Sequence, residues 1–374
     1  MTLRKARDLY PAKVGVVDGD RTFTYARIGE RVNSLARFFQ TRDIKPRDRI
    51  SILEVNSLAF LETYYAAAGI GAILNPLNYR LAPQEIAYIL RDSGSRWLVA
   101  GSRFASLVKG ILDEDTPLEG ILQIGDSPSF SEGITCYEYE NMIHSHAGIF
   151  EPVAIREDDV AHLYYTSGTT GRPKGVMLTH KNVCFHALGT IAELKLTDSD
   201  IWGHIAPMFH LADAWAAFAI TWVGGCHVMV AQFEAEAVMA TIERERITLS
   251  NMIPTMLNLM IKHPKVTSYD FSSFRVILSG GAPIAPELVR SIIETFGCDY
   301  IQTYGMTETS PYLTLSLLKD HLRDLPESEQ LWYKSKTGRP FITIDLKVVD
   351  NNGVPVAADD QQVGEIWVRG DTVT

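Results

Sequence analysis

The sequence predicts an α/β protein in which helices cover largely parallel sheets. The main observation is an alternation of short apolar runs with amphipathic helical runs, beginning with a strand expected over 49–55 and a helix expected over 58–68. Such alternation is typical of βα units, which build parallel sheets. The second observation is the length of 374 residues, with 46% hydrophobic and 21% charged residues, which suits more than one domain or subdomain.

The N-terminal part of the chain is expected to form one α/β subdomain. Thr24 has the character of a helix N-cap, and Pro83 that of a first helical residue. Residues 101–152 are weakly patterned and rich in turn residues and acids, so we interpret them as the connection between two βα layers. A domain boundary is therefore placed near Ile155.

A polar, glycine-rich loop follows an apolar strand expected over 160–165. Its notable residues are Thr166, Ser167, Gly168, Thr169, Thr170, Gly171, Lys174 and Gly175. Consecutive N–H groups in such a turn form a concave nest that binds anions, and Lys174 adds a positive charge. With a helix expected to begin near Lys181, the order of strand, loop and helix favours a phosphate site over a flexible polar loop. It is not a Walker A loop, because Gly175 follows Lys174 where that motif needs Ser or Thr.

Two further segments follow predicted strands. The first, 207–211, contains His210, although a lone histidine beside aromatic residues is more often structural than a ligand. The second, 280–283, lies at the carboxyl end of a strand, where ligands of open α/β sheets bind. A tight turn before the helix that Pro286 is expected to open would explain its glycines equally well.

Residues 304–309 bring an aromatic ring, a glycine, hydroxyls and one acid together in a short space. Tyr304 suits the stacking of a flat ring, Thr307 suits a phosphate and Glu308 suits a Mg²⁺ ion. By itself this hexapeptide is a moderate signal for a nucleotide site.

These segments together resemble the motifs of the AMP-forming adenylating enzymes, the family of acyl-CoA synthetases, firefly luciferase and peptide-synthetase adenylation domains. They read YTSGTTGRPKG (165–175), PMFHL (207–211), GGAP (280–283) and YGMTE (304–308), and they occur in the family's order. The resemblance extends over nearly the whole chain. It implies that residues 335–374 form part of a small β-barrel.

The resemblance also implies a role for each motif. The ATP-binding residues would be Thr166, Ser167, Gly168, Thr169, Thr170, Gly171 and Lys174 for the phosphates, Thr307 for the α-phosphate, and Gly281, Ala282, Pro283, Tyr304 and Gly305 around the adenine. Glu308 would bind Mg²⁺. The catalytic group would comprise His210, Lys174, Thr307 and Glu308.

The acid would lie in a pocket formed by His210, Trp215, Gly280, Gly305 and Met306, with His210 holding the carboxylate. Trp215 fits an acyl tunnel and the plain core about equally well. Adenylation domains that select amino acids place an Asp directly after the position matching His210. That position is Leu211 here, and Asp213 comes later, so a fatty or aryl acid is favoured over an amino acid.

The implied activity is a two-step ligation, in which the acid is activated by ATP to acyl-AMP and then transferred to coenzyme A. The expected subdomains are 1–154, 155–334 and 335–374. The family's ribose-binding Asp and mobile C-terminal domain are not found in this sequence, and Asp371 comes too early to be that Asp. We therefore expect an N-terminal fragment that cannot make the thioester. Transfer to a carrier protein and a non-catalytic nucleotide- or acyl-binding module are the alternatives.

Composition excludes several other classes. A net charge of −10 argues against a nucleic-acid partner. Four scattered cysteines without a CxxC pair indicate a reducing compartment, and no signal peptide is recognised, so a cytoplasmic location is expected. The most apolar stretch, 214–226, is shorter than the ~20 residues of a membrane span. The expected partner is a small carboxylic acid, and homodimerisation is left open.

Overall fold

A computed structural model describes residues 2–125, 133–167, 171–359 and 361–374. The helices are α1 (Thr2–Leu9), α2 (Tyr25–Thr41), α3 (Leu58–Gly69), α4 (Pro83–Ser93), α5 (Ala105–Leu112), α6 (Tyr139–Ser145), α7 (His180–Leu194), α8 (Leu211–Ala214), α9 (Ala216–Val223), α10 (Ala235–Glu245), α11 (Pro254–Ile261), α12 (Pro286–Phe296) and α13 (Glu327–Lys334).

The strands alternate with these helices through most of the chain. They are β1 (Val14–Asp18), β2 (Arg21–Thr24), β3 (Arg49–Leu53), β4 (Ile73–Pro76), β5 (Ser95–Gly101), β6 (Gly120–Ile124), β7 (Thr135–Glu138), β8 (Val160–Thr166), β9 (Lys174–Thr179), β10 (Ile201–His204), β11 (Cys226–Met229), β12 (Leu249–Asn251), β13 (Val276–Ser279), β14 (Asp299–Gly305), β15 (Tyr312–Leu315), β16 (Arg339–Pro340), β17 (Ile344–Val349) and β18 (Glu365–Gly370).

Two large sheets confirm the predicted α/β class. The first has the order β7-β6-β5-β3-β4-β8-β9, and only its β8–β9 pair is antiparallel. The second has the order β16-β15-β14-β13-β12-β10-β11-β1-β2, with a parallel centre and antiparallel pairs at both ends. Where a barrel portion is expected, β17 and β18 form a small antiparallel sheet.

The interpretation of residues 101–152 as a connection is wrong. This stretch contains α5, β6, β7 and α6, and its two strands extend the first sheet beyond β5. The strands are only five and four residues long, so their periodicity is too brief to be recognised without the partner strand.

The chain also passes between the sheets more often than the predicted boundary suggests. The β8–β9 pair, which follows Ile155, belongs to the first sheet, whereas β1 and β2 from the N-terminus belong to the second. The division at 154/155 stays a prediction about domains, but it does not separate the two sheets.

The predicted order of strand, loop and helix around the glycine-rich loop is also wrong. Strand β9 lies between the loop and α7, and it pairs antiparallel with β8 so that Lys174 is opposite Thr166. Val176 and Leu178 are buried while Met177 between them is exposed, which is the two-residue alternation of a strand. An anion in this loop would therefore meet a hairpin and not the N-terminus of a helix.

Helix ends follow the predicted signals closely. The Thr24 hydroxyl accepts a hydrogen bond from Arg27 N at 3.3 Å, and Pro83 and Pro286 each open a helix. Gly297 ends α12 with φ +63°, a left-handed conformation that glycine adopts readily.

A buried ionic cluster joins three helices. Arg31 of α2 donates to both carboxylate oxygens of Glu62 on α3, at 2.5 and 3.2 Å, and to Glu140 on α6. The Tyr139 hydroxyl donates to Glu62 at 2.7 Å. Burial raises the pKa of Glu62, and the charge of Arg31 opposes that effect.

One hydrophobic core contains residues of both sheets, for example Ile52 of β3 and Leu278 of β13. Helices α3 and α9 contribute Tyr64 and Phe218, whose ring centroids are 5.5 Å apart. Among the described residues, no helix combines the length and apolar character needed to cross a membrane.

Candidate active site

The end of β8, the residues at the start of α8 and the short turn after β14 border one cleft of about 490 Å³. Five predicted site residues line it, namely Thr166, Ser167, Gly171, His210 and Thr307. These residues come from three widely separated parts of the sequence, so the fold brings together the predicted phosphate loop, histidine segment and YGMTE motif.

The phosphate loop connects the two strands of the β8–β9 hairpin. Thr166 is the last residue of β8, and Lys174 is the exposed first residue of β9. Gly171 has φ +84°, which a residue with a side chain rarely adopts, and the space beside it is open. The predicted phosphate ligands Gly168, Thr169 and Thr170 lie outside the described residues.

His210 lines the cleft as the N-cap residue of α8, and its side chain is exposed. Its ring lies 4.4 Å from that of Phe209, measured between centroids. Desolvation by the surrounding protein, assisted by the positive charge of Arg80, lowers the pKa of His210 to about 4. The imidazole is therefore neutral at pH 7 and can donate one hydrogen bond without carrying a charge.

The YGMTE motif turns sharply at the end of β14. Thr307 begins a 3₁₀ turn that packs against β9, and Glu308 is exposed. A side chain at Gly305 would meet the carbonyl oxygen of Pro311, so only glycine fits there. Glu308 O accepts a hydrogen bond from Thr374 N at 3.0 Å.

The predicted adenine loop follows β13, which pairs in parallel with β14. It is therefore at the same sheet edge as the YGMTE motif. Ala282 O accepts a hydrogen bond from Gln302 Nε2 at 2.8 Å, which ties the loop to β14. Gly281 has φ +80° and open space around it, and Pro283 is exposed.

Some predicted site residues lie outside the cleft. Of the residues that the structure describes, those predicted for the site but absent from the cleft lining are Lys174, Trp215, Gly280, Gly281, Ala282, Pro283, Tyr304, Gly305, Met306 and Glu308. Tyr304 is half-buried against the core, and Met306 is 48% exposed. Their contacts with ligands stay predictions.

Trp215 lies in the core, only 2% exposed. Its indole N–H donates to Ala212 O and to the Tyr312 hydroxyl, both at 2.9 Å. Asp213 is fully buried, and its carboxylate accepts from Trp202 Nε1 at 3.2 Å and lies 2.5 Å from His204 Nδ1. Asp213 is thus already engaged within the protein.

From the sequence, Asn78 and Arg80 are expected to be loop and cap residues and not ligands, yet both act at the cleft. Asn78 lines it just after β4, and Arg80 acts electrostatically on His210. Asn78 Oδ1 also accepts a hydrogen bond from Arg80 N at 2.9 Å, which fixes the turn between them. They follow β4, a strand that the sequence did not predict, so the rule that ligands bind at the carboxyl ends of strands could not be applied to them.

Comparisons with known proteins agree with this arrangement. A family model described as AMP-binding enzyme matches residues 3–374. The long-chain-fatty-acid–CoA ligase of Thermus thermophilus is 31% identical over 355 residues, which are 94% of this chain and 64% of that protein. The feruloyl-CoA synthase of an Amycolatopsis species is 31% identical over 381 residues, which are 99% of this chain and 69% of that protein.

Among solved structures, the inhibitor-bound N-terminal domain of FACL13 from Mycobacterium tuberculosis matches with a TM-score of 0.85 at 28% identity. The match covers 100% of this chain and 88% of that chain. The chain thus matches a separate N-terminal domain closely, whereas it spans about two thirds of the length of the two relatives.

Proposed function

The chain belongs to the AMP-binding enzyme family, and from this premise we propose that it activates a carboxylic acid with ATP to form an acyl-adenylate. The observation that carries the proposal is the single cleft that Thr166, Ser167, His210 and Thr307 share. In the reaction, a carboxylate oxygen attacks the α-phosphorus of ATP and pyrophosphate leaves. The protein would act mainly through positioning and charge neutralisation.

The ATP phosphates are assigned to the hairpin loop. Its residues for this role are Thr166, Ser167, Gly168, Thr169, Thr170, Gly171 and Lys174. The exposed position of Lys174 opposite Thr166 supports the assignment, since a movable cation at this place can follow the departing pyrophosphate. Thr307 is assigned to the α-phosphate because it lies in the same cleft as Thr166.

The adenine is assigned to the loop after β13 and to the motif after β14. Its residues for this role are Gly281, Ala282, Pro283, Tyr304 and Gly305. The open space at Gly281 supports the close approach of a flat base to the backbone.

Glu308 is proposed as the protein ligand of Mg²⁺. The residues described contain no cluster of three or more His, Cys, Asp or Glu side chains that could hold a metal. An exposed carboxylate beside the phosphate hairpin fits Mg²⁺, which is often bound by one or two carboxylates together with substrate phosphates. When bound, the ion would stabilise charge on the phosphate oxygens.

His210 is proposed to orient the carboxylate of the acid. The pKa of about 4 keeps its imidazole neutral at pH 7, so it would donate a hydrogen bond while leaving the carboxylate nucleophilic. In this proposal His210 holds the nucleophile and transfers no proton.

A fatty or aryl acid is the proposed substrate class. Apolar side chains of Leu81, Ile89 and Leu211 line the cleft near His210. The relatives are named for long-chain fatty acids and for ferulate, which span both options. The buried, engaged carboxylate of Asp213 supports the prediction that the substrate is not an amino acid.

Transfer of the acyl group to coenzyme A is proposed for the full-length enzyme, with a carrier protein as the alternative acceptor. The thiol sulfur attacks the acyl carbon, AMP leaves, and the thiol proton passes to solvent. Acyl-CoA formation by the full-length enzyme from ATP, the acid and coenzyme A tests this step, and release of acyl-AMP without any thioester would contradict it. The cytoplasmic location stays a prediction.

The first test is a titration of the purified chain with stable acyl-adenylate mimics of increasing acyl length, followed by thermal unfolding. A ligand at 100 times its Kd adds about 2.7 kcal/mol of stability, which is readily measured. We expect the midpoint temperature of thermal unfolding to rise most with a mimic of one particular acyl length and to rise less with AMP alone. No rise with any mimic, either with this chain or with one extended at its C-terminus, would overturn the proposal. A chain that binds ATP and mimics but releases no pyrophosphate would be a non-catalytic module.

A further inference from the structure

The residues between β10 and α8, 205–210, form a segment that carries His210, and we call it the histidine segment. Buried side chains from other elements hydrogen-bond to the backbone of this segment, and side-chain contacts join the elements at its two ends to each other. Within the segment, His210 N donates to Pro207 O at 3.0 Å, and His210 O accepts from Ala214 N of α8 at 3.1 Å. Side chains from other elements hold the part of the segment before this turn, and they therefore influence where His210 stands.

Asn56 makes the largest set of these contacts. Its Nδ2 donates to His204 O at 2.7 Å and to Ala206 O at 2.9 Å, and its Oδ1 accepts from Met208 N at 2.7 Å. One buried amide therefore satisfies three backbone groups along five residues. Asn56 follows β3 of the first sheet, so it also connects the first sheet to a segment that extends from the second.

Further contacts hold the histidine segment and the elements on either side of it. Tyr64 of α3 donates to Met208 O at 3.1 Å. Asp213, just beyond the segment, is held by Trp202 and His204 of β10, and His204 Nε2 lies 2.9 Å from His227 Nδ1. Because Asp213 contacts Trp202 and His204, residues 202–213 form a closed loop. Asn56 holds the backbone of residues 204–208 within this loop.

We infer that Asn56 is a positioning residue, which acts through the histidine segment to place His210 against the carboxylate of the acid. The inference rests on the proposed function and adds a residue to its machinery from outside the cleft lining. A displacement of about 1 Å can lower a rate about 100-fold when a reacting group must be aligned. Without the Asn56 amide, Ala206 O and Met208 N would lose their partner, whereas His204 O would keep its hydrogen bond from Val230 N, and the segment would shift.

A merely structural role for Asn56 predicts lost stability and nothing else. A positioning role predicts in addition a change at His210 itself. The side chain of His210 is exposed at the surface of the cleft, and the protein packed around its ring, together with the charge of Arg80, lowers its pKa to about 4. A segment that relaxes toward solvent would restore part of its hydration, so its pKa would rise toward the ordinary value.

The experiment compares Asn56→Ala with Asn75→Ala in the 374-residue chain. Asn75 is a matched control, because it is also fully or nearly fully buried in the first sheet and its amide donates to Ser51 Oγ, away from the histidine segment. The pKa of His210 is measured by NMR of labelled imidazoles, with the His210→Gln spectrum for assignment. The affinities for a stable acyl-adenylate mimic and for AMP are measured by calorimetry.

For Asn56→Ala we expect the pKa of His210 to rise from about 4 toward 6.5. We also expect affinity for the mimic to fall about tenfold more than affinity for AMP. Asn75→Ala should change neither. If Asn56→Ala does not fold, Asn56→Asp serves instead, since it keeps the acceptor for Met208 N and removes the two donated bonds.

An unchanged pKa of His210 and an unchanged ratio of the two affinities in a folded Asn56 variant would overturn the inference. Failure of the proposed function has a different outcome, in which the unaltered chain binds no mimic at all. In that case the His210 titration still shows whether Asn56 positions the segment.

Discussion

Replacing Arg31 with alanine should destabilise the protein by about 3–5 kcal/mol, the usual effect of removing one partner of a buried ion pair. Arg31 is 4% exposed and Glu62 is fully buried, so the variant would leave a carboxylate without its cation in the interior. Urea unfolding followed by circular dichroism measures the difference, provided that the dependence of stability on urea is unchanged.

The matched control is Arg27→Ala, one turn earlier on α2. Arg27 pairs with Glu30 at 3.0 Å, but the two side chains are 46% and 66% exposed. Water screens such a pair, so its loss should change stability by at most about 1 kcal/mol. The two variants remove the same residue type from the same helix, and burial is the main difference between them.

The pH dependence of Arg31→Ala gives a second check. A carboxyl group whose pKa is higher in the folded than in the unfolded state stabilises the folded protein most at low pH. This stabilisation is lost as pH rises through the pKa of the folded state. Burial already raises the pKa of Glu62, and removal of Arg31 would raise it further. The loss in the free energy of unfolding of Arg31→Ala, relative to the unaltered protein, should therefore be large at pH 7 and decrease toward pH 4.5. Equal effects of the two variants, or a deficit that does not shrink in acid, would refute this reasoning.

Three further predictions concern the cleft. Lys174→Ala should weaken ATP about tenfold or more, as measured by calorimetry, because a charge-assisted contact to the phosphates is lost. It should leave an acyl-adenylate mimic unaffected, and equal losses for both ligands would contradict the assignment. Glu308→Gln should raise the Mg²⁺ concentration needed for pyrophosphate release by about tenfold or more, and an unchanged Mg²⁺ requirement would exclude Glu308 as the ligand. Binding of the mimic should not vary between about pH 5 and 8 through His210, because its lowered pKa leaves it neutral there, and any change in binding that His210 causes should occur as pH falls through about 4. A titration midpoint near pH 6.5 that disappears in His210→Gln would show that His210 is not desolvated.

The sequence was most informative where a local residue decides the structure. Thr24, Pro83 and Pro286 each set a helix start through their own side chain or ring, so the predictions at these positions are confirmed. Strand β9 was missed for the opposite reason. Its pairing with β8 depends on a partner across the loop, and the residues after the loop were interpreted only as an approach to a helix.

The same distinction applies to the site. His210 and Thr307 follow strands, and the cleft contains both. The sequence could not decide between core and tunnel for Trp215, because its burial depends on Tyr312, nearly one hundred residues later. Asn56 gave no local signal either, since its three backbone partners all belong to the segment around residues 204–208.

The pairing of β1 with β11 has a consequence for synthesis on the ribosome. Val17 lies opposite Val228, so about 211 residues must be made after Val17 before its partner exists. At about 5–20 residues per second, the wait is roughly 10–40 s, during which one edge of the β1–β2 ribbon is without its neighbour. A nascent chain with an unpaired strand edge is open to wrong pairing with other chains. The N-terminal ribbon is therefore the region where we expect a chaperone to bind during translation, and where slower translation would prolong the exposure.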